Sequence, residues 1–230
     1  MAEAQLAVEP AARLPSALRR QQLLRLSGEG WARVLDAPWD STARQCLALW
    51  AARGLPLVVT RQPVPAADTV ATGLPAPARF RRLRLAVAVA PRHVMFLDEF
   101  PAAEVVARLL PRPCVAAWRA LLATLAAADC VPRVYGGYGW QALTRLAYVH
   151  PASDVDLLLP VVSSAQADAV ATLLENAAWT GPRLDGELLF PDGAAVAWRE
   201  WLAHREGRTA QVLVKRLHGV ALEAPGAAFA

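Results

Sequence analysis

The chain has 230 residues, of which 55% are hydrophobic and 19% charged, enough to bury one large core or two small ones and too apolar for a disordered polymer. Its net charge of +4 is uneven: residues 1–130 hold sixteen Arg against ten Asp and Glu, and residues 131–230 hold eight basic against ten acidic groups. No apolar run reaches the roughly 18 residues of a membrane span. No C-x-x-C pair links Cys46, Cys114 and Cys130, and Met1–Gln5 does not open a signal peptide, so a reducing cytoplasm is the expected compartment.

Residues 1–15, rich in Ala and Pro, read as a loose arm. A short helix is expected from Ser16, with Leu18, Leu23, Leu24 and Leu26 on a mixed apolar face. Asp40-Ser41-Thr42 supplies N-cap groups for a second helix to about Arg53, stopped by Gly54. Pro56–Thr60 reads as a buried strand, and residues 62–78 as a Pro-rich loop containing Thr72-Gly73-Leu74-Pro75. The basic cluster Arg79–Arg84 leads into a strand at Leu85–Val89, followed by another over His93–Leu97. Pro101 opens a helix toward Leu110, and Pro113 a longer one through about Ala128, placed as a link between two halves. The charge sign changes near residue 130. The division expected is therefore an N-terminal α/β domain over residues 1–129, for substrate or partner binding, and a second domain over 130–230.

The second domain reads as β-α-β-α-β-β, an α/β (α+β) arrangement of mixed sheet and helices. Arg133-Val134-Tyr135 is a strand, and Gly136-Gly137 turns it into a helix through Trp140, Leu143 and Leu146. Ser153–Leu159 is a second strand, and Ser163 caps a helix reaching Ala178. Glu187–Phe190 and Ala194–Trp201 flank the turn Pro191-Asp192-Gly193 as a hairpin, and Gln211–Lys215 is the last strand.

Side chains alternate along a strand, so Asp154 and Asp156 point to one face while Val155 and Leu157 enter the core. Two carboxylates held this close call for a cation, and magnesium takes one or two carboxylates together with substrate phosphates. A D-x-D triplet alone is a weak signal. Here a strand, a Gly-Gly turn and a helix N-terminus able to bind phosphate precede it, with sixteen residues between Gly137 and Asp154. Phosphate donors and metal ligands on neighbouring strands are the equipment of phosphoryl or nucleotidyl transfer.

This constellation resembles the polymerase-β-like nucleotidyltransferase superfamily, whose signature is Gly-Ser or Gly-Gly, a helix, and Asp-hydrophobic-Asp on a strand. The fuller run from Val134 to Thr144, then Tyr148, Ser153–Leu158, Asp185-Gly186-Glu187, Asp192-Gly193, Val196–Trp201 and Val212–Lys215 resembles a narrower family. That family is the malonate decarboxylase holo-[acyl-carrier-protein] synthases, or phosphoribosyl-dephospho-CoA transferases. The likeness covers most of residues 130–220, and more faintly Gly73-Leu74-Pro75 and Arg20–Leu26.

The resemblance implies transfer of a phosphoribosyl-dephospho-CoA unit from triphosphoribosyl-dephospho-CoA to a serine of the malonate decarboxylase acyl carrier subunit, with release of pyrophosphate. Asp154 and Asp156 are expected to hold Mg2+ (or Mn2+), with Gly136, Gly137, Ser153 and Lys215 as candidates for the substrate's phosphates. Gly137 departs from the serine usual in the family, and Arg20-Gln21-Gln22 departs from an Arg-His-Asp pattern. A third carboxylate is expected; Glu187, Glu200 and Asp185 are the candidates, ranked in that order, each also readable as a turn residue or an ion-pair partner. Lys215, the single lysine among 24 basic residues, is read equally well as a phosphate contact or as an ordinary strand end. The Arg79–Arg84 cluster faces either an anionic partner or plain solvent. Trp140 and Trp198 read as core before they read as adenine platforms. Neither a membrane nor a nucleic-acid partner is expected. The competing functions are a nucleotidyltransferase acting on a small molecule such as an aminoglycoside, and a silent binding module of the same fold.

Overall fold

The computed structural model describes residues 18–64 and 68–225; the expected N-terminal arm over residues 1–15 lies outside them. Among the described residues the chain forms two sheets. The first has five antiparallel strands in the order β4-β3-β2-β1-β5: β1 (Leu23–Leu26), β2 (Leu57–Val59), β3 (Val70–Pro75), β4 (Arg84–Val89) and β5 (Val94–Asp98). Two helices cover one face of it, α1 (Gly28–Asp36) and α2 (Ser41–Ala52). Ser27 caps α1 by accepting from the Gly30 N–H, and Asp40 caps α2 by accepting from the Ala43 N–H. Trp31, Val34, Cys46, Leu47 and Trp50 from these helices pack on Leu24, Leu57, Leu74 and Leu85 of the sheet.

The second sheet is mixed and has six strands in the order β11-β10-β9-β8-β7-β6. These are β6 (Arg133–Tyr135), β7 (Val155–Pro160), β8 (Leu184–Leu189), β9 (Ala195–Ala197), β10 (Val212–Lys215) and β11 (Val220–Glu223). Only β7 and β8 run parallel, through the crossover helix α5 (Ser164–Glu175), which is capped by Ser163; the other pairs are antiparallel. Helices α3 (Val115–Ala127), α4 (Gly136–Thr144) and α6 (Trp198–Arg205) complete the unit. The two-domain α/β expectation therefore holds.

Several elements differ from the sequence reading. Leu23, Leu24 and Leu26 lie in a strand rather than a helix: β1 sits between β2 and β5, and tertiary pairing decides what a four-residue, mostly apolar segment does not. The expected loop at 62–78 contains β3, whose Gly73 and Pro75 disguise it. Helix α1 has two glycines in its first turn and no sequence counterpart. Trp198–Trp201 open helix α6, where the hairpin strand was expected to continue; Trp198 and Trp201 share one helical face into the core. The segment from Ala103 to Leu109 is a 3-10 helix, and β11 is an additional strand.

The two cores meet near residue 100. Phe100 packs in the first, whereas Ala103, Val106, Trp118, Leu121 and Leu125 pack in the second against Val155 and Leu157. Helix α3 is therefore part of the second core and not a link between halves. Trp140 of α4 crosses the divide into the first core, edge-on to Phe100 with ring centroids 5.4 Å apart and near Trp50. Tyr148 lies almost parallel to Trp140 and donates from its hydroxyl to Pro75 O at 2.8 Å, and the Gln62 N–H donates to Leu217 O at 2.8 Å. These ties fix an open cleft of about 890 Å3 between the domains.

Candidate active site

The cleft ends on the β6–α4 turn. Tyr135 is the register partner of Asp156 across antiparallel strands β6 and β7, so the residue after Tyr135 comes directly under the Asp156 side chain. That residue is Gly136, at φ +58, and a Cβ placed there would lie 1.8 Å from Asp156 Oδ2. Only glycine fits: the backbone is left-handed and the carboxylate occupies the space of a side chain. Gly137 is different, since a Cβ there would meet only Ser153 Oγ, at 3.9 Å. Helix α4 starts at this turn with no side-chain cap, which leaves its first N–H groups directed at the cleft.

Asp154 stands just before β7, and Val155 and Leu157 are fully buried on the opposite face, as alternation requires. Parallel pairing with β8 puts Asp185 beside Asp156 and Glu187 beside Leu158. Burial, then the charges of Asp185, Asp154 and Glu187, pushes the Asp156 carboxyl up to about 6, opposed only in part by Arg183. Arg183 lies 3.5 Å from Asp154 and 3.8 Å from Asp185, but it is more than half exposed and screens the cluster weakly. The site thus holds excess negative charge carried on hard oxygen donors.

Two family comparisons align with this geometry. The phosphoribosyl-dephospho-CoA transferase MdcG C-terminal domain family matches residues 101–225, and the corresponding N-terminal domain family matches residues 11–97. The chain belongs to the phosphoribosyl-dephospho-CoA transferase family. A relative of that name from Xanthomonas euvesicatoria pv. vesicatoria is 40% identical over 195 residues, covering 80% of this chain and 87% of the relative. One from Bradyrhizobium diazoefficiens is 36% identical over 207 residues, covering 88% of each chain. One from Pseudomonas aeruginosa is 35% identical over 191 residues, covering 77% and 81%. No solved structure matches. The protein is a transferase enzyme of this family.

The expected site residues fall into three groups. Asp154, Asp156, Gly136, Gly137 and Ser153 come together. Ser153 Oγ accepts the His150 N–H at 2.9 Å and shapes the turn before β7, close to Gly137. Glu187 and Lys215 lie deeper and bind each other, Nζ to Oε1 at 2.6 Å. Lys215 is thereby largely neutralised, and Glu187 Oε2 is buried without a hydrogen bond. Glu200 sits elsewhere: it is exposed on α6 and accepts the Leu213 N–H at 2.9 Å, so the helix that replaces the expected strand carries it away from the other carboxylates. Asp185, ranked last of the three candidates, is the carboxylate that the strand register places beside Asp156. The parallel β7–β8 pairing decides this, and strand order is not written in a local pattern.

The expected basic cluster also divides. Arg84 lines the cleft, Arg79 stacks on Phe80 at 4.5 Å, and Arg81 and Arg82 are exposed in left-handed turn positions. Trp140 lies in the interdomain core and touches the cleft, and Trp198 is buried with Arg199 stacked on it. Burial pushes the Cys130 thiol up to about 12, so it stays protonated and is no nucleophile.

Proposed function

We propose that the enzyme transfers the phosphoribosyl-dephospho-CoA group of triphosphoribosyl-dephospho-CoA to a serine of the malonate decarboxylase acyl carrier subunit, releasing pyrophosphate. The observation that carries the reading is the Asp156 carboxylate seated on the left-handed Gly136 turn, beside Asp154 and Asp185 and at the foot of a nucleotide-sized cleft. The names of the relatives supply the group transferred.

The carboxylates fit Mg2+ or Mn2+, with Asp154 and Asp156 as the ligands: the donors are hard oxygens, and the strand register gathers Asp185 beside Asp156. Among the described residues no group of three His, Cys, Asp or Glu makes a ready cage. Two carboxylates supplemented by substrate phosphates are what magnesium commonly uses. Such an ion, when bound, neutralises charge developing on the phosphoryl oxygens. The chain's own part is positioning. The Gly136–Gly137 N–H groups at the start of α4 hold the phosphates, and the stacked Trp140–Tyr148 pair forms one apolar wall. The carrier's serine oxygen bonds to the innermost phosphorus as the bond from that phosphorus to the pyrophosphate oxygen breaks. The hydroxyl proton passes to a carboxylate of the cluster.

The test is reconstitution: purified enzyme, apo-carrier and triphosphate donor, followed by the mass gain on the carrier and by pyrophosphate release. Equal amounts of both are expected. Modification of a small-molecule hydroxyl with no change in the carrier would reject the reading.

A further inference from the structure

The first domain turns one face of its sheet toward the second. Opposite the helix-covered face, Val58, Gly73 and Ala86 lie in one row across β2, β3 and β4, and these small residues floor the cleft. Its rim carries Arg20, Arg61 and Arg84 from the first domain and Arg216 from the second. Arg216 pairs with Glu223. Among the described residues Arg20, Arg61 and Arg84 have no ion-pair partner.

Arg20 differs from the other two. Its Nη1 is buried and makes no hydrogen bond. Leaving a charged donor buried and unsatisfied is costly, so its placement needs a reason. The backbone beside it is strained as well: Gln21 has φ +61, a left-handed conformation that a non-glycine residue adopts at a penalty. This turn is held by Gln21 N–H to Val59 O at 3.2 Å and Val59 N–H to Gln22 O at 2.8 Å. The two arginines that precede this turn have different surroundings. Arg19 pairs with Glu99 of its own domain, while Arg20 enters the cleft. There its charge opposes the upward shift that burial and the carboxylates impose on the Tyr135 phenol. Tyr135 is the register partner of Asp156, so Arg20 faces the strand end where the carboxylates stand.

We propose that Arg20 binds the donor's phosphate chain from the side opposite the Gly136–Gly137 turn, with Arg61 and Arg84 extending the positive rim outward. Guanidinium is the side chain best matched to phosphate oxygens, and Arg20 lines the cleft with no ion-pair partner among the described residues. The first domain then completes the transfer site. The inference rests on the triphosphate donor of the reading above, but its test needs no turnover.

The probe is inorganic tripolyphosphate in excess magnesium, titrated calorimetrically into the full-length protein. Arg20→Gln should weaken binding by about tenfold or more, the usual effect of losing a charge-assisted contact. Arg20→Lys should restore part of it. Arg119→Gln, on exposed α3, should leave it unchanged and control for net charge. Because Arg20 has an unsatisfied buried nitrogen, Arg20→Gln should unfold at the same temperature as the parent or slightly higher. A purely structural arginine would lower it. Tripolyphosphate binding that is absent in the parent or unchanged in Arg20→Gln overturns the assignment. So does a loss of several degrees in both Arg20 variants. If the binding results are as expected but no carrier serine is modified, the phosphate site stands and the acceptor reading falls.

Discussion

Gly136→Ala is the sharpest probe of the site, because one methyl group meets the carboxylate directly. The new Cβ would lie 1.8 Å from Asp156 Oδ2, 2.7 Å from its Cγ and 3.1 Å from its Cβ. Contact between such atoms needs about 3.5 Å or more, so the carboxylate must swing by well over 1 Å. The left-handed backbone at φ +58 adds about 1–2 kcal/mol for any residue with a Cβ. At about 2–4 °C per kcal/mol for a chain of this size, the melting temperature should fall by roughly 2–8 °C, leaving a folded protein at 25 °C. Transfer should suffer far more, because a displacement near 1 Å at a reacting centre costs about a hundredfold in rate. Gly137→Ser is the matched control: it has ordinary φ and only Ser153 Oγ in reach, at 3.9 Å. It should fold like the parent and keep or raise activity by adding a hydroxyl at the turn. The assay is single-turnover labelling of apo-carrier beside a thermal melt for each protein. Parent-like labelling by Gly136→Ala would refute the placement of Asp156 over the turn as the catalytic arrangement.

Asp154→Asn and Asp156→Asn should each reduce carrier labelling to background while staying folded, and a chelator should abolish labelling by the parent; activity surviving both treatments would remove the metal from the mechanism. Burial and the neighbouring carboxylates push the Asp156 carboxyl up to about 6, above its ordinary value, so the folded state holds the proton more tightly and stability falls as pH rises through that window. Without divalent ions, Asp156→Asn should therefore melt above the parent at pH 7.5 and lose that advantage at pH 4; a difference independent of pH would contradict the crowding of charge. Lys215→Met leaves Glu187, 5% exposed, without its ion-pair partner, and should cost about 3 kcal/mol, most of which a paired Glu187→Leu change recovers. If denaturant melts show equal losses for the single and double variants, the pair does not interact as drawn.

How much of this could be read from the chain depended on whether a feature is local. Asp154 and Asp156 sharing a face, with Val155 and Leu157 buried behind them, follow from strand periodicity, and Ser163 and Asp40 cap helices where their side chains predict. The glycine turn was legible because Gly136-Gly137 follows a strand and opens a helix. The choice among the third carboxylates was not. Asp185 and Glu187 share a face of β8, and only the parallel register with β7 puts Asp185 next to Asp156 while Lys215 of β10 takes Glu187. Glu200 misled because Ala194–Trp201 begins as a hairpin strand; its two tryptophans suit a helix face as well as a strand, and the helix won.

The first domain was least legible, and for a different reason. Its contribution lies in what a sheet face lacks. Gly73 and Ala86 read as breakers and fillers in a sequence, yet side by side across β3 and β4 they leave the space that becomes the cleft floor. A bulkier residue at Gly73 would press on Leu85 O, 3.1 Å from a Cβ there, and on Thr60 Cγ2 at 3.4 Å, shifting β4 and with it Arg84 at the rim. The arginine excess of the first half is likewise uninformative as a total. Arg19, Arg25 and Arg44 are engaged within their own domain, Arg79 lies on Phe80, and Arg81 and Arg82 face solvent. Of the arginines that are left, Arg20, Arg61 and Arg84 are the first-half arginines that line the cleft. It is the tertiary arrangement, not the total charge, that decides which guanidinium groups line the cleft.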